Sequence, residues 1–353
     1  MPNSPIDTFV FAPLAPILGI LLFWFIQLIF IESQKYLLSL IWHKHQPLCR
    51  LTNFIGIFFQ TICHALGYTV TKSGVSDFYI SINYGRVSPK KDKQGIFKWI
   101  ANAFLFIGPF FIPSFVLFLY LFFLIRPTLE ISTVVYDTFS LGLITLGTNF
   151  YTFSLTFFNF LFNIDLLHPL HLGFLLFLIF LGLGIRPSYI GEKKKEKVDM
   201  IYDLKNIKTH LLQKPLYIFI LFAAAYVFFY ISLFLKQNWY SLLFSILGWL
   251  SIIAIVALLI THGLLLIIRV VDKLPKYSKL IAYLMLPLSY AMARVVFFCF
   301  PFRYSNSISL IVMLSVTFLT IWLLLNYKTN KFKTKSEMEL GEAKNGTGRV
   351  IKK

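Results

Sequence analysis

Two sets of side chains in this chain have the types and spacing to do chemistry. Gln60 and His64 are four residues apart, one helical turn along the same face, with Asn53 two turns before Gln60. His168 and His171 are three residues apart, again neighbours on one helical face. Imidazoles ligate metals, move protons or donate to carbonyls, and carboxamides both donate and accept hydrogen bonds. Both sets stand in apolar surroundings, where polar groups are costly unless they pair within a helix bundle or line a wet cavity. The simplest role for Asn53 and Gln60 is interhelical hydrogen bonding, worth about 0.6–2 kcal/mol each.

The elements that position these residues belong to a membrane protein. The chain has 353 residues, 58% of them hydrophobic and 40 of them Phe, and a mean hydropathy of +0.74. That composition excludes a water-soluble core. The net charge of +18 would suggest nucleic acid in a soluble protein, but here the lysines stand between apolar runs. This is the positive-inside pattern, and it points to anionic membrane lipids and away from nucleic acid. Three scattered cysteines, Cys49, Cys63 and Cys299, give neither a disulfide framework nor a sulfur metal site. The first apolar run has no basic leader and no small-residue cleavage site, so it reads as a retained span.

Apolar runs at 9–32, 52–70, 99–125, 167–186, 214–236, 240–268, 278–301 and 305–326 predict an all-α polytopic membrane protein of about eight transmembrane helices. Pro13 and Pro16 interrupt the first run, and Pro109 and Pro113 the third. Residues 33–50, with Lys35, Lys44 and Arg50 among apolar residues and His43 and His45 beside Lys44, predict a short interfacial helix. After the second run, Phe78, Ile80, Ile82 and Tyr84 alternate as a half-buried strand does, giving a β-type segment. Residues 127–166, broken by Gly142, Gly147 and Asn149, read as a non-spanning or re-entrant segment.

The charged loop 187–213, which includes His210, reads as a solvated cytoplasmic element, and the basic tail 327–353 reads as disordered. The Lys/Arg distribution puts that loop, the Arg269–Lys279 turn and the tail on one side, so both termini are expected in the cytoplasm. The 33–50 linker, with three basic residues outside, opposes this count. No internal repeat of the transporter kind is present.

The run Gln60-Thr61-Ile62-Cys63-His64-Ala65-Leu66-Gly67 resembles the metal-binding helix of the site-2 protease family of intramembrane zinc metalloproteases, whose pattern reads HExxHALG. His64 matches the second histidine, Gln60 stands at the first, and Thr61 at the glutamate. The β-type segment after it looks like the family's loop at that point. Gly108-Pro109 is similar to the Gly-Pro the family often carries, and Pro169-Leu170-His171-Leu172-Gly173 stands where the family has Pro-Leu-Asp-Gly. The resemblance covers residues 50–186 and has no counterpart in the rest.

The resemblance implies a three-helix core over 51–186, between an N-terminal region at 1–50, the 187–213 loop, and a four-helix bundle at 214–326. It also brings the helices of His64 and His171 together, so that zinc could be held by His64, His171 and His168. A protease of this type uses a glutamate to activate the zinc-bound water, and general base catalysis is worth about 10²–10⁴ in rate. Thr61 cannot supply it. The reading this favours is a proteolytically inactive membrane scaffold that binds another membrane protein or a transmembrane segment. Two alternatives stand beside it: a metal-dependent membrane enzyme using the three histidines, and a transporter or channel lined by His262, Arg294 and the polar 127–166 segment. Arg294 can equally snorkel to the membrane surface near Arg303.

Overall fold

The computed structural model describes residues 5–82, 84–125, 135–185, 208–209, 214–300, 302 and 304–346. A π-helical turn at Asp7–Phe11 leads into α1 (Leu14–Ile41), followed by α2 (Gln46–Val70) and a hairpin of β1 (Val75–Ile80) and β2 (Gly85–Pro89). Then come α3 (Ile96–Ile125), α4 (Phe139–Phe162), α5 (Pro169–Gly184), α6 (Pro215–Phe234), α7 (Trp239–Val271), α8 (Lys276–Cys299) and α9 (Ser305–Gly346). Among the described residues, seven segments are helical, long and apolar enough to cross a membrane: Asp7–Ile41, Ile107–Ile125, Phe139–Phe162, Pro215–Phe234, Trp239–Val271, Lys276–Cys299 and Ser305–Asn330. The protein is thus an all-α, multi-pass integral membrane protein with one small β-ribbon.

The chain forms two compact units, one of Met1–Leu161 with Leu166–Leu265, the other of Phe162–Asp165 with Leu266–Lys353. In the first unit the N-terminal segment is held by tyrosines. Pro13 has no amide hydrogen for the Phe9 carbonyl one turn back, and the Tyr230 hydroxyl donates to that carbonyl instead. Tyr226 donates to the Val10 carbonyl and Tyr240 to the Pro13 carbonyl, each at 2.7 Å. Asp7 accepts the Phe139 amide at 3.2 Å, placing a carboxylate at the positive N-terminus of α4.

Deeper in this unit α1, α5 and α7 are joined through Gln34. Its amide donates to the Gly182 and Leu183 carbonyls at 3.0 and 3.3 Å, and its oxygen accepts from the Thr261 hydroxyl at 3.1 Å. Those two carbonyls belong to the last turn of α5, which has no amides of its own to offer them. Gly182 lets α5 and α7 approach closely: a Cβ there would lie 2.7 Å from the Ala257 carbonyl oxygen. Asn149 on α4 donates to the Ser245 hydroxyl at 2.9 Å, and the Trp249 indole donates to the Asn149 carbonyl at 3.2 Å. Trp249 also stacks on Phe153 with ring centroids 5.0 Å apart.

In the second unit α8 and α9 pack as an antiparallel pair over a core of Val271, Leu274, Ala282 and Ile321. Lys279 pairs with Asp272 at 2.9 Å across the turn between α7 and α8. The Lys328 ammonium donates to the Lys273 carbonyl, so the end of the apolar part of α9 lies beside that turn.

Four expectations are corrected. Residues 33–41 continue α1 rather than starting an interfacial helix, and Lys35 is buried against Glu32 at 3.1 Å. The pairing of Lys35 within its own helix removes the charge signal that suggested an interface. Residues 139–162 form one unbroken helix, because Gly142 and Asn149 face neighbouring helices rather than ending the turn. The helix α9 runs past 326 to Gly346. Extending an existing helix needs no new nucleus, and Lys, Glu, Met and Leu are good helix formers. Finally, the second predicted span is helical but its polar stripe keeps it out of the seven, while the fourth is the shorter α5 of 16 residues. The 187–213 loop and His210 lie outside the described residues, except for Lys208 and Thr209.

Replacing Gln34 by Leu leaves two helix-end carbonyls and the Thr261 hydroxyl without this partner. It is expected to destabilise the protein by about 1–2 kcal/mol, read as a lower unfolding midpoint in detergent; an unchanged midpoint would remove Gln34 as the link between α1, α5 and α7.

Candidate functional site

The α2 helix opens with Pro47 in its first turn and buries Ile55, Phe59, Cys63 and Gly67, packing against α3 and α5. Its contact with α3 is backbone-close. A Cβ on Gly67 would stand 2.7 Å from the Ala101 carbonyl oxygen, and one on Gly108 would stand 2.8 Å from Cys63. After Val70, Lys72 (φ +53°) and Gly74 (φ +68°) take left-handed conformations and reverse the chain into β1. The Ser73 and Gly74 amides both return to the Tyr68 carbonyl, closing the helix end.

The β-ribbon folds back along α2. β1 and β2 pair antiparallel, with Phe78 opposite Val87 and Ile80 opposite Gly85. At the far end, the Asn53 amide donates to the Ile82 carbonyl at 3.3 Å. Asn53 is 17 residues before Val70, so the ribbon follows the helix for about 25 Å at 1.5 Å per residue. Between these points Gly85 lies directly on Thr61 and Ile57; a Cβ at Gly85 would overlap the Thr61 hydroxyl oxygen and come within 3.0 Å of Ile57.

This corrects the single strand expected through Tyr84. β1 ends at Ile80 and β2 starts at Gly85, and the Ser81 amide donates to the Tyr84 carbonyl at 2.9 Å. Phe78, Ile82 and Tyr84 are 49%, 55% and 57% exposed rather than half-buried against protein. Apolar alternation marks a face turned from water, and lipid satisfies it as well as a protein core does.

The candidate residues therefore divide into groups. Thr61 is buried, and its hydroxyl donates to the Ile57 carbonyl at 2.7 Å in its own helix. Gln60 is half-buried beside it. The His64 ring lies against Tyr68 with centroids 4.5 Å apart, and its Nε2 is buried without a hydrogen bond among the described residues. Asn53 is buried, with its amide spent on the ribbon and its oxygen likewise without a partner among the described residues.

His168 is the exposed residue that opens α5, and His171 is half-buried, 4.7 Å from the His168 ring and edge-on to Phe160 at 5.4 Å. The structure thus brings His168 and His171 together. Among the described residues no three His, Cys, Asp or Glu side chains gather into a group that would hold a metal ion, whereas a zinc site of the family's type takes three protein ligands. His262 sits part-buried in α7, with Nδ1 buried and without a hydrogen bond among the described residues.

Arg294 belongs to the second unit and is pinned rather than snorkelling freely. It pairs with Asp165 at 3.1 Å and donates to the Asn306 side-chain oxygen at 2.5 Å and to Ser305 at 3.3 Å. Tyr290 donates to the other Asp165 oxygen at 3.2 Å. The acid on a short turn, the cation on α8 and the amide at the start of α9 form one network, a pattern that joins elements. Arg303 lies outside the described residues.

Sequence reasoning missed the contact between the ribbon and Thr61. Its one available signal was Gly85, a glycine ending an alternating apolar run, which marks a place where backbone comes close to something else. It also missed Asp165 as the partner of Arg294, and nothing in the spacing of 129 residues could have paired them. No family model, curated protein or solved structure matches this chain.

Gly85→Ala is expected to lift the ribbon from α2 and cost about 1–3 kcal/mol. Thr61→Ala removes the oxygen that the new methyl would overlap, so the Gly85→Ala/Thr61→Ala double variant should unfold at a higher midpoint than Gly85→Ala alone. Strictly additive losses in the two single variants would contradict the contact.

Proposed function

We propose that this membrane protein is a proteolytically inactive relative of the site-2 proteases that acts as a scaffold, binding a segment of another membrane protein along α2 and its ribbon. The observation that carries this reading is the packing at Thr61. In a site-2 protease the corresponding position is the base that activates water. Here the hydroxyl proton goes to the Ile57 carbonyl, and the Gly85 backbone occupies the space above it. In this reading Thr61 neither acts as a base nor holds a water. The glycines Gly67 and Gly108 let α2 and α3 pack closely, which supports a reading in which the scaffold is kept and the chemistry is not.

The binding element in this reading is the ribbon. A two-stranded ribbon has an outer edge on each strand, and an extended segment that pairs with such an edge gains main-chain hydrogen bonds worth most where water is scarce. The exposed Phe78, Tyr79, Ile82 and Tyr84 provide apolar contacts around it. The Lys/Arg distribution supports a cytoplasmic tail, in keeping with the contact between Lys328 and the basic turn.

The test pairs two measurements on protein reconstituted in vesicles. Single-pass membrane substrates should remain uncleaved, with or without added zinc. A photo-crosslinker placed at Tyr79 should capture a membrane protein from native membranes, and this capture should fall when Gly85→Ala displaces the ribbon. Turnover that disappears in His64→Ala would overturn the inactive reading, and capture indifferent to Gly85→Ala would overturn the binding role of the ribbon.

A further inference from the structure

We propose that Lys72, Lys90 and Lys91 form a binding site for the phosphate of an anionic phospholipid headgroup. The three stand at the base of the ribbon, where backbone hydrogen bonds tie the start of β1 to the end of β2. The Lys90 amide donates to the Gly74 carbonyl at 3.0 Å and the Lys91 amide to the Ser73 carbonyl at 2.9 Å. Lys72 immediately precedes Ser73 and is held in a left-handed conformation, φ +53°, uncommon for a residue with a side chain. All three side chains are exposed.

The other charges of this region are already engaged. Arg86 pairs with Asp77 at 3.7 Å and Lys98 with Asp92 at 3.2 Å. The Lys93 ammonium donates to the Thr71 carbonyl at 2.7 Å and lies over the Phe97 ring at 5.0 Å. Lys72, Lys90 and Lys91 have no carboxylate within salt-bridge distance among the described residues. The C-terminus of α2 carries partial negative charge and accounts for a cation at Lys72. It does not account for two more exposed lysines on the adjoining strand end, where like charges held on neighbouring backbone favour a bound anion.

The location identifies the anion as a lipid. The helix α6, one of the segments able to cross the membrane, begins at Pro215, and Lys214 just before it lies over the Tyr217 ring at 5.4 Å. Tyr217 in turn meets Trp99 edge-on at 5.7 Å. The 90–99 segment therefore stands beside the start of a membrane-crossing helix, with the aromatic rings that mark the headgroup level. Juxtamembrane lysine clusters at that level attract anionic lipid.

The experiment uses the full chain, delipidated in detergent and then offered phosphatidylcholine alone, phosphatidylcholine with phosphatidylserine, or inorganic phosphate with phosphatidylcholine. Retained lipid per chain is read by native mass spectrometry. The wild type should retain phosphatidylserine selectively, and the Lys72→Gln/Lys90→Gln/Lys91→Gln variant should bind it about tenfold more weakly or worse. A Lys236→Gln/Lys276→Gln control should bind as wild type, and the Lys72→Arg/Lys90→Arg/Lys91→Arg variant should retain binding, which separates lost charge from lost fold. Equal retention in the wild type and the glutamine variant would overturn the proposal. So would inorganic phosphate that abolishes phosphatidylserine retention at equal concentration, since the site would then be one for a soluble anion.

Discussion

A polar group taken out of water in this chain must find its partner within the chain, and the arrangement of the helices follows from that requirement. Several sequence features that free or bury a polar group are answered by a particular side chain. Pro13 frees the Phe9 carbonyl, and Tyr230 reaches it. The end of α5 leaves two carbonyls, and Gln34 bridges them while receiving Thr261. Asp165 and Arg294 meet each other and collect Tyr290, Ser305 and Asn306 around them. Hydrophobic contact is non-directional, and aromatic pairs such as Phe153 with Trp249 fill space on either side. The hydrogen bonds supply the direction, and so set which helix faces which.

The same requirement explains the ribbon on α2. Asn53 offers a buried polar group on one side of α2, and a protein backbone is a suitable cover for it because it carries its own donors and acceptors. The Ile82 carbonyl takes the Asn53 amide. Gly85 has no side chain to hold the backbone away, so the ribbon closes on Thr61. A site built to activate water would need that volume open. The ribbon fills that volume, and its exposed Phe78, Tyr79, Ile82 and Tyr84 side chains face outward.

Composition and apolar runs were enough to read a multi-pass helical protein with a β-type element after α2, because lipid demands long apolar helices and the chain shows them plainly. The failures were local and share a cause. Lys35 looked interfacial because a lysine in isolation does, yet Glu32 one turn earlier pairs with it and both are buried. Gly142 and Asn149 looked like helix breakers, but they are the places where α4 is approached by other parts of the first unit. The alternation from Phe78 to Tyr84 gave the strand but not the turn, since a period of two is the same before and after a reversal. His168 and His171 could be paired from their spacing; Thr61 and Gly85 could be related only through the path of the chain between them. Periodicity reports which face is apolar, and it is silent about which segment covers it.

The most direct test of the central claim, that the ribbon seals α2 at Thr61, is the chemical accessibility of that position. In a chain with Cys49, Cys63 and Cys299 replaced by alanine, Thr61→Cys would be challenged with a small water-soluble thiol reagent in vesicles and its labelling rate compared with that of Ser76→Cys on the exposed side of the ribbon. The account predicts that Thr61→Cys stays essentially unlabelled while Ser76→Cys reacts, and that shortening the ribbon exposes Thr61→Cys. Labelling of Thr61→Cys at the rate of Ser76→Cys in the intact chain would mean that water reaches the position, and the account would be wrong.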